Sequence, residues 1–389
     1  MNLYFLVFII ILGILYYIQY DIFVKINTLD KYTIGIVQNP IVENFTKQFI
    51  SFLDNSISLK YYENSEALLK DVNMNKIDFC INSEANYIDS HFGLNSYKNN
   101  KLNNIHYITG LYYNYYYFFT NIFFKDTNKT TELTNPEDLK QFYSVYKRHL
   151  IIGTEDKNSD SFMGLLIVLY MYGFTPIDLK KKEKHKLYTD TTIFYITYEI
   201  NSLTEAFIND SIDGIFLINT YNYEPVREVI DKKDVIFLDV TFNNTIFNDI
   251  YSSYFYKKNI TISNNANDID STYTFETKAS RMLLLANKNV DSNKVELLMK
   301  TYYKNNNILI NSLQNKDNDQ NEHTIFEPLD MIYVNKMIKI HKGAMSYMKE
   351  LGFIINENIK NQLEINKNDH FNYYWKYDKI GLNKFDLLE

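Results

Sequence analysis

The chain has 389 residues, more than one small core needs and enough for two lobes with additional segments. Its 40 basic and 47 acidic side chains leave a net charge of −7 with no basic patch, which argues against nucleic acid as a partner. The single cysteine, Cys80, excludes an internal disulfide and a Cys-rich metal site. It lies in the apolar run 77–81 and reads as a small buried hydrophobe.

Residues 1–20 carry no charged side chain, and 3–18 are almost wholly apolar, close to the roughly 17–25 residues that span a bilayer. Tyr16, Tyr17 and Tyr20 suit an interfacial belt, and no basic n-region or small-residue cleavage site is visible. The expectation is an uncleaved single-pass transmembrane signal-anchor over 1–22. The remainder would then lie outside the cytosol, in a lumen or on a virion surface. Lys25 and Lys31 favour the opposite orientation, and a helix buried in the fold is the alternative. The surplus of Tyr (35) and Phe (27) over Pro (5) and Gly (11) fits an AT-rich genome, viral, protist or bacterial. An abundant Tyr or Asn is therefore not by itself a functional signal.

After the anchor, strands and helices alternate. Residues 32–37 (YTIGIV) predict a strand, the loop Gln38-Asn39-Pro40 follows, and apolar residues from Ile41 to Leu53 mark a helix. Residues 58–62 predict a second strand, and Ser65 is expected to cap a helix over 66–74. Residues 77–81 are a third strand, ending in a polar loop at Asn82, Ser83 and Glu84 before a helix through Ile88. Residues 104–111 are a fourth strand, continued by an aromatic extended run to 120. This β-α-β-α-β alternation predicts a parallel sheet with helices on its faces.

The next unit repeats the grammar. A turn at 135–139 precedes the strand 149–152, a polar loop 153–161, and an apolar helix 161–172 that stops at Gly173. The loop lies at the carboxyl end of its strand, where a helix N-terminus points unpaired N–H groups. Two readings of Ser159, Asp160 and Ser161 stand: a ligand contact there, or a helix cap. The charged run 180–186 reads as a solvated loop; 195–198, 212–218 and 235–240 as strands; 203–209 and the segment from Pro225 to Val229 as helices. Extended segments at 261–262 and 272–276, a buried strand at 281–286, a helix over 293–313 and another over 344–351 complete the series.

Several of these segments carry a family resemblance. Residues 32–37, the stretch 67–81 with its Asp78, 105–112, NPEDL at 135–139, 151–178, 203–223 and above all IHKGAMSYMKELG at 340–352 occur in the order of the TAXI-type substrate-binding proteins of TRAP transporters. The chain resembles that family over about 31–355. The resemblance implies a divergent α/β, two-lobed, type II periplasmic-binding-protein-like fold behind an N-terminal transmembrane helix. Residues 31–118 and 226–360 would form lobe I and 119–225 lobe II. The crossings would lie near 116–120 and 219–225, and 361–389 would be a peripheral tail.

In that fold the ligand lies between the lobes. The positions carried over as ligand-binding are Gln38, Asn39, Pro40, Asn82, Ser83, Tyr112, Tyr113, Thr154, Ser159, Ser161, Asn219 and Tyr221, each near the carboxyl end of a predicted strand; a capping or turn role is the alternative at each. The sequence departs from the pattern where the family has Gly-Ser-Gly-Thr. Here Asn158-Ser159-Asp160-Ser161 removes both glycines and adds a carboxylate. Lys342 replaces a proline, and lobe II offers no evident Arg for a bidentate carboxylate contact, Arg148 lying just before the strand.

The expected function is a membrane-anchored, non-catalytic receptor for a small polar solute, carboxylates and amino acids among the candidates. It would need no cofactor or metal, and a membrane transporter or other membrane protein would be its partner. The alternative is a structural or interaction membrane protein, for example viral, that reuses the fold. An enzyme is the third class. The 7 histidines and the absence of H-x-x-x-H, G-x-S-x-G and Walker patterns weigh against it, and Asp78, Asp213 and His341 read as structural.

Overall fold

The computed structural model describes residues 32–53, 57–93, 97–98, 100–121, 133–141, 149–156, 159–174, 179–181, 193–221, 223–241, 256–264, 271–311, 313 and 339–350. The expected anchor and C-terminal tail lie outside these residues. Among the described residues no helix is long and apolar enough to cross a membrane.

The first lobe starts from β1 (Tyr32–Val37), which pairs in parallel with β2 (Ile57–Tyr62) and β3 (Phe79–Ser83). Between them run α1 (Pro40–Ser51) and α2 (Ser65–Asn73), and α3 (Glu84–Phe92) follows β3. Proline at the start of α1 lacks only a donor that would be orphaned anyway. Asn39 caps the helix, its Oδ1 accepting from the amides of Ile41 at 2.9 Å and Val42 at 3.3 Å. α1 then buries Phe45, Thr46 and Phe49 against the sheet. The cap of α2 is Asn64, which accepts from the Ala67 amide at 2.9 Å, and not Ser65, the first helical residue. Asn82 and Ser83, expected in a loop, are still strand, and Glu84 already begins α3.

The second lobe repeats this plan with β5 (Leu150–Thr154), α4 (Asp160–Met171), β7 (Ile193–Thr197), α5 (Ile200–Ile208) and β8 (Gly214–Asn219); β7 and β8 flank β5 in parallel. The lobes share internal contacts. Asp78 Oδ2 accepts from the Thr33 amide at 2.9 Å, and Asp213 Oδ2 accepts from the Ile151 amide at 2.9 Å. Each carboxylate ties the start of a lobe's third strand to the start of its first, the structural role expected of both. A short strand β6 (Leu179–Lys181) sits at the edge on β7, so the charged run opens as an edge strand rather than a loop.

Two long strands join the lobes. β4 (Ile105–Thr120) and β11 (Ser271–Asn287) run antiparallel, registered from Ala279 opposite Tyr115 to Asn287 opposite Ile105. The sheet order is β2-β1-β3-β11-β4-β8-β5-β7-β6, with β10 (Tyr256–Asn264) on β11 and β9 (Ile236–Phe237) on β4. This is the two-lobed α/β arrangement expected. The tyrosine run of β4 is core on both faces: Tyr113, Tyr115, Tyr117 and Phe119 pack into one cluster, and Tyr112, Tyr116 and Phe118 into the other.

The return crossing differs from the expectation at 219–225. Helix α6 (Glu224–Lys232) and β10 pack with the second lobe, where Val226, Val229 and Ile260 join Leu217 and Phe119 in one core. Among the described residues the chain crosses back in β11, whose first half is paired with β10 beside the second lobe and whose second half is paired with β3 and β4. α7 (Ser292–Asn311) and α8 (Lys342–Glu350) then close the first lobe, Tyr302 of α7 meeting Phe49 edge-on at 6.1 Å.

Candidate functional site

A cavity of about 340 Å³ lies between the lobes, lined from both sides by residues at the carboxyl ends of parallel strands. The first lobe contributes Gln38 and Asn39 after β1, and Ile81 and Asn82 of β3; Tyr112 and Asn114 of β4 and Met282 of β11 also line it. The second lobe contributes Glu155 and Asp156 after β5, Ser159, Asp160 and Ser161 at the start of α4, Tyr198 and Glu199 after β7, and Asn219 and Thr220 at β8. The lobes again match. Asn82 Oδ1 accepts from the Ser83 amide at 2.8 Å, and Asn219 Oδ1 from the Thr220 amide at 2.9 Å, so each asparagine fixes the turn that ends its strand at the cavity.

Of the residues carried over from the family resemblance, Gln38, Asn39, Asn82, Tyr112, Ser159, Ser161 and Asn219 line the cavity. Pro40 is the exposed first residue of α1. Ser83 is buried as the cap of α3, its Oγ accepting from the Asn86 amide at 3.4 Å. Thr154 is buried within β5. Tyr113 and Tyr221 point into the opposite core, where the Lys258 ammonium stands 4.6 Å from the Tyr113 ring and the Tyr221 hydroxyl donates to the Thr261 carbonyl at 2.6 Å.

The sequence reading missed Asn114, Glu155, Asp156, Tyr198, Glu199 and Thr220. Glu155 and the pair Tyr198–Glu199 directly follow strands that the sequence does predict, a signal that was available.

The serines at the start of α4 are engaged within the protein. Ser159 caps the helix, its Oγ accepting from the Phe162 amide at 3.1 Å. Ser161 donates to the Glu155 carboxylate and accepts from the Ile218 amide at 2.9 Å. Asp160 Oδ1 accepts from the Asn86 side-chain amide of α3 at 2.9 Å, a bond between the lobes. Burial pushes the Asp160 carboxyl up from the usual carboxylate range, against hydrogen bonds from Asn86 and Ser83. Burial also raises Glu155, the Ser161 hydroxyl opposes it, and the neighbouring Asp160 adds to it.

Two buried polar atoms on residues that line the cavity have no hydrogen-bond partner among the described residues: the Tyr112 hydroxyl and Asn82 Nδ2, on residues 1% and 2% exposed. The buried guanidinium of Arg281 serves a different purpose. Its Nε donates to Glu84 Oε2 at 2.7 Å and its second nitrogen to Oε1 at 2.5 Å, so it neutralises a carboxylate at the start of α3. His341 accepts from the Gly343 amide at 3.2 Å at the start of α8, the packing role expected of it. Burial raises the Cys80 thiol, in keeping with a small hydrophobe. No group of His, Cys, Asp and Glu that could hold a metal occurs among the described residues.

The model of the NMT1-like family matches residues 54–352. No curated protein matches the sequence. Among solved structures, the chain is similar to substrate-binding domain 2 of GlnP from Lactococcus lactis, at 11% identity over 74% of this chain and 97% of that one, TM-score 0.37. It is similar to the aliphatic sulphonate binding protein SsuA of Escherichia coli, at 11% identity over 72% and 77%, TM-score 0.37. PstS of Borrelia burgdorferi matches at 11% identity over 72% and 97%, TM-score 0.38. At such scores these likenesses carry no conclusion, and the fold rests on its own strand order.

Proposed function

This chain belongs to the NMT1-like family, and from that premise we propose that it is a non-catalytic solute-binding protein whose ligand is a small polar molecule held between the lobes. The observation that carries the reading is the cavity of about 340 Å³ at the carboxyl ends of both sets of strands, beside the unpartnered Tyr112 hydroxyl and Asn82 Nδ2. A buried polar atom without a partner costs about 1–3 kcal/mol, which a ligand's complementary group would recover. The test is the melting temperature of the full chain against saturating amino acids, dicarboxylates, amines and sugars. A ligand at about a hundred times its Kd adds roughly 2.7 kcal/mol of stability. A reproducible rise with at least one solute is expected, and a panel with no rise overturns the reading.

The proposal extends to the rest of the chain. Residues 1–22 would anchor the lobes on the extracytoplasmic, lumenal or virion side of a membrane. A TAXI-type role would make a membrane transporter the partner. Deleting 1–22 is expected to move the protein from the membrane to the soluble fraction; retention on the membrane would remove the anchor from the account.

A second reading, a structural or interaction membrane protein reusing the fold, draws on one observation. The Ser159 and Ser161 hydroxyls and the Asp160 carboxylate already have partners within the protein. The same melting panel separates the two, since this reading requires that no solute stabilise the chain.

A further inference from the structure

We propose that the interlobe cavity selects a small organic cation that also carries a neutral hydrogen-bond acceptor, such as an ammonium-bearing alcohol or amide. This rests on the solute-binding reading and adds the charge class of the ligand.

Three observations converge on it. The described residues lining the cavity include four carboxylates, Glu155, Asp156, Asp160 and Glu199, and no Lys, Arg or His. A solute with its own net negative charge would enter a field of the same sign, with no cation among the described lining residues to meet it. At two of the helix starts on the cavity the donors that would serve an anion are engaged, the Asn39 side chain accepting from the first amides of α1 and Ser159 from that of Phe162 in α4; the start of α5 has no side-chain cap, and the carboxylate of Glu199 stands there.

The groups left without a partner define the rest of the ligand. Tyr112 lines the cavity, and its hydroxyl, lacking a partner among the described residues, can accept from an ammonium N–H. Tyr112 and Tyr198 bring aromatic rings to the same cavity, the surface that best tolerates a desolvated cation. Asn82 Nδ2 is a donor only, so it calls for an acceptor on the ligand. A cation bridging Glu155 and Asp160 would also relieve the cost of two neighbouring half-buried carboxyls, both held above the usual range by burial and Glu155 also by the charge of Asp160.

The test uses the full chain and sets matched by charge: alaninamide, ethanolamine, agmatine and putrescine as cations, alanine and glutamine as zwitterions, lactate and glutamate as anions. Melting shifts select binders and calorimetric titration measures affinity. The inference expects the cations to bind, alaninamide and ethanolamine ahead of putrescine because they offer the acceptor. Glu155→Gln is expected to weaken cation binding by about tenfold or more, the scale of one charge-assisted contact. Glu199→Gln is a second variant, on an exposed residue that leaves the fold undisturbed. Stabilisation by anions or zwitterions but not cations would overturn the inference and leave the solute-binding reading standing. Cation binding unaffected by both variants would also overturn it. No shift with any member would remove both readings.

Discussion

The side-chain amide of Asn86 donates to Asp160 Oδ1 at 2.9 Å, joining the first turn of α3 in one lobe to the first residue of α4 in the other. Asp160 stands where the resembled family carries a glycine, so the departure that removes a close backbone approach also supplies a bond between the lobes. Asn86 is further tied to its own lobe, its Nδ2 reaching Ser65 Oγ at 3.2 Å and Asn82 Oδ1 at 3.3 Å. The contact therefore links the cavity-lining Asn82 to the opposite side of the cleft.

Removing that link should open the cleft. Asn86→Ala is expected to cost about 1–3 kcal/mol, because a half-buried carboxylate loses a charge-assisted donor. It should also enlarge the radius of gyration in small-angle scattering. An unchanged radius together with unchanged stability would show that the bond does not hold the lobes together.

The raised Glu155 and Asp160 carboxyls predict the sign of a pH effect. A group whose folded pKa lies above its unfolded value binds more protons in the folded state between the two. Stability contributed by that site therefore falls as pH rises from the ordinary carboxylate range through the raised folded value, and stays reduced above it. Glu155→Gln should melt higher than the wild type at neutral pH and lose that advantage as pH falls toward about 4, where the parent carboxyl is protonated in both states. Melting curves at several pH values read this directly. A variant less stable than the parent at neutral pH would contradict the assignment.

Arg281 and Glu84 form a buried pair, their side chains 1% and 0% exposed. Arg281→Met alone should cost about 3–5 kcal/mol, since it strands the Glu84 charge. Adding Glu84→Gln should recover part of the loss. Denaturant titration of the two single variants and the double gives the coupling, and additive losses would contradict it.

Gly343 starts α8 against α7, and a Cβ there would lie 2.2 Å from the Ser292 carbonyl oxygen and 2.9 Å from Val295 Cβ. Backbone cannot yield as a side-chain tip does, so Gly343→Ala should destabilise by about 1–3 kcal/mol or more. A wild-type denaturation midpoint would contradict this packing.

The local units were legible because each writes its own signal. Leu150 to Ile152 and the apolar helix behind them announce strand and helix, and the Ile-Asp step before β3 and β8 marks the same tie at Asp78 and Asp213 in both lobes. The small residues Gly35 and Gly153 are equally matched, a Cβ on either meeting a leucine and an isoleucine, Leu68 and Ile77 in one lobe and Leu203 and Ile212 in the other. The return crossing was not legible. The apolar face of α6 shows that Val226 and Val229 are buried but not against which lobe, and that choice depends on the pairing of β10 with β11.

The site divides in the same way. That the loops after β1, β3, β5 and β8 would meet follows from strand direction, and Gln38, Asn82, Ser159 and Asn219 were reachable by that rule. Strand alternation also says that Tyr112 and Tyr113 face opposite ways, which left room for only one of them at the cavity. That Ser161 is held by Glu155, and Asp160 by Asn86, depends on contacts across the fold that no local pattern records.

The most direct test of the central claim is the melting temperature of the full chain with and without the solute panel, repeated on Asn114→Trp, a substitution that places a large side chain in the cavity beside Tyr112. The account predicts that a small polar cation raises the melting temperature of the parent and leaves that of Asn114→Trp unchanged. A rise of equal size in both, or no rise in the parent with any solute, would contradict it.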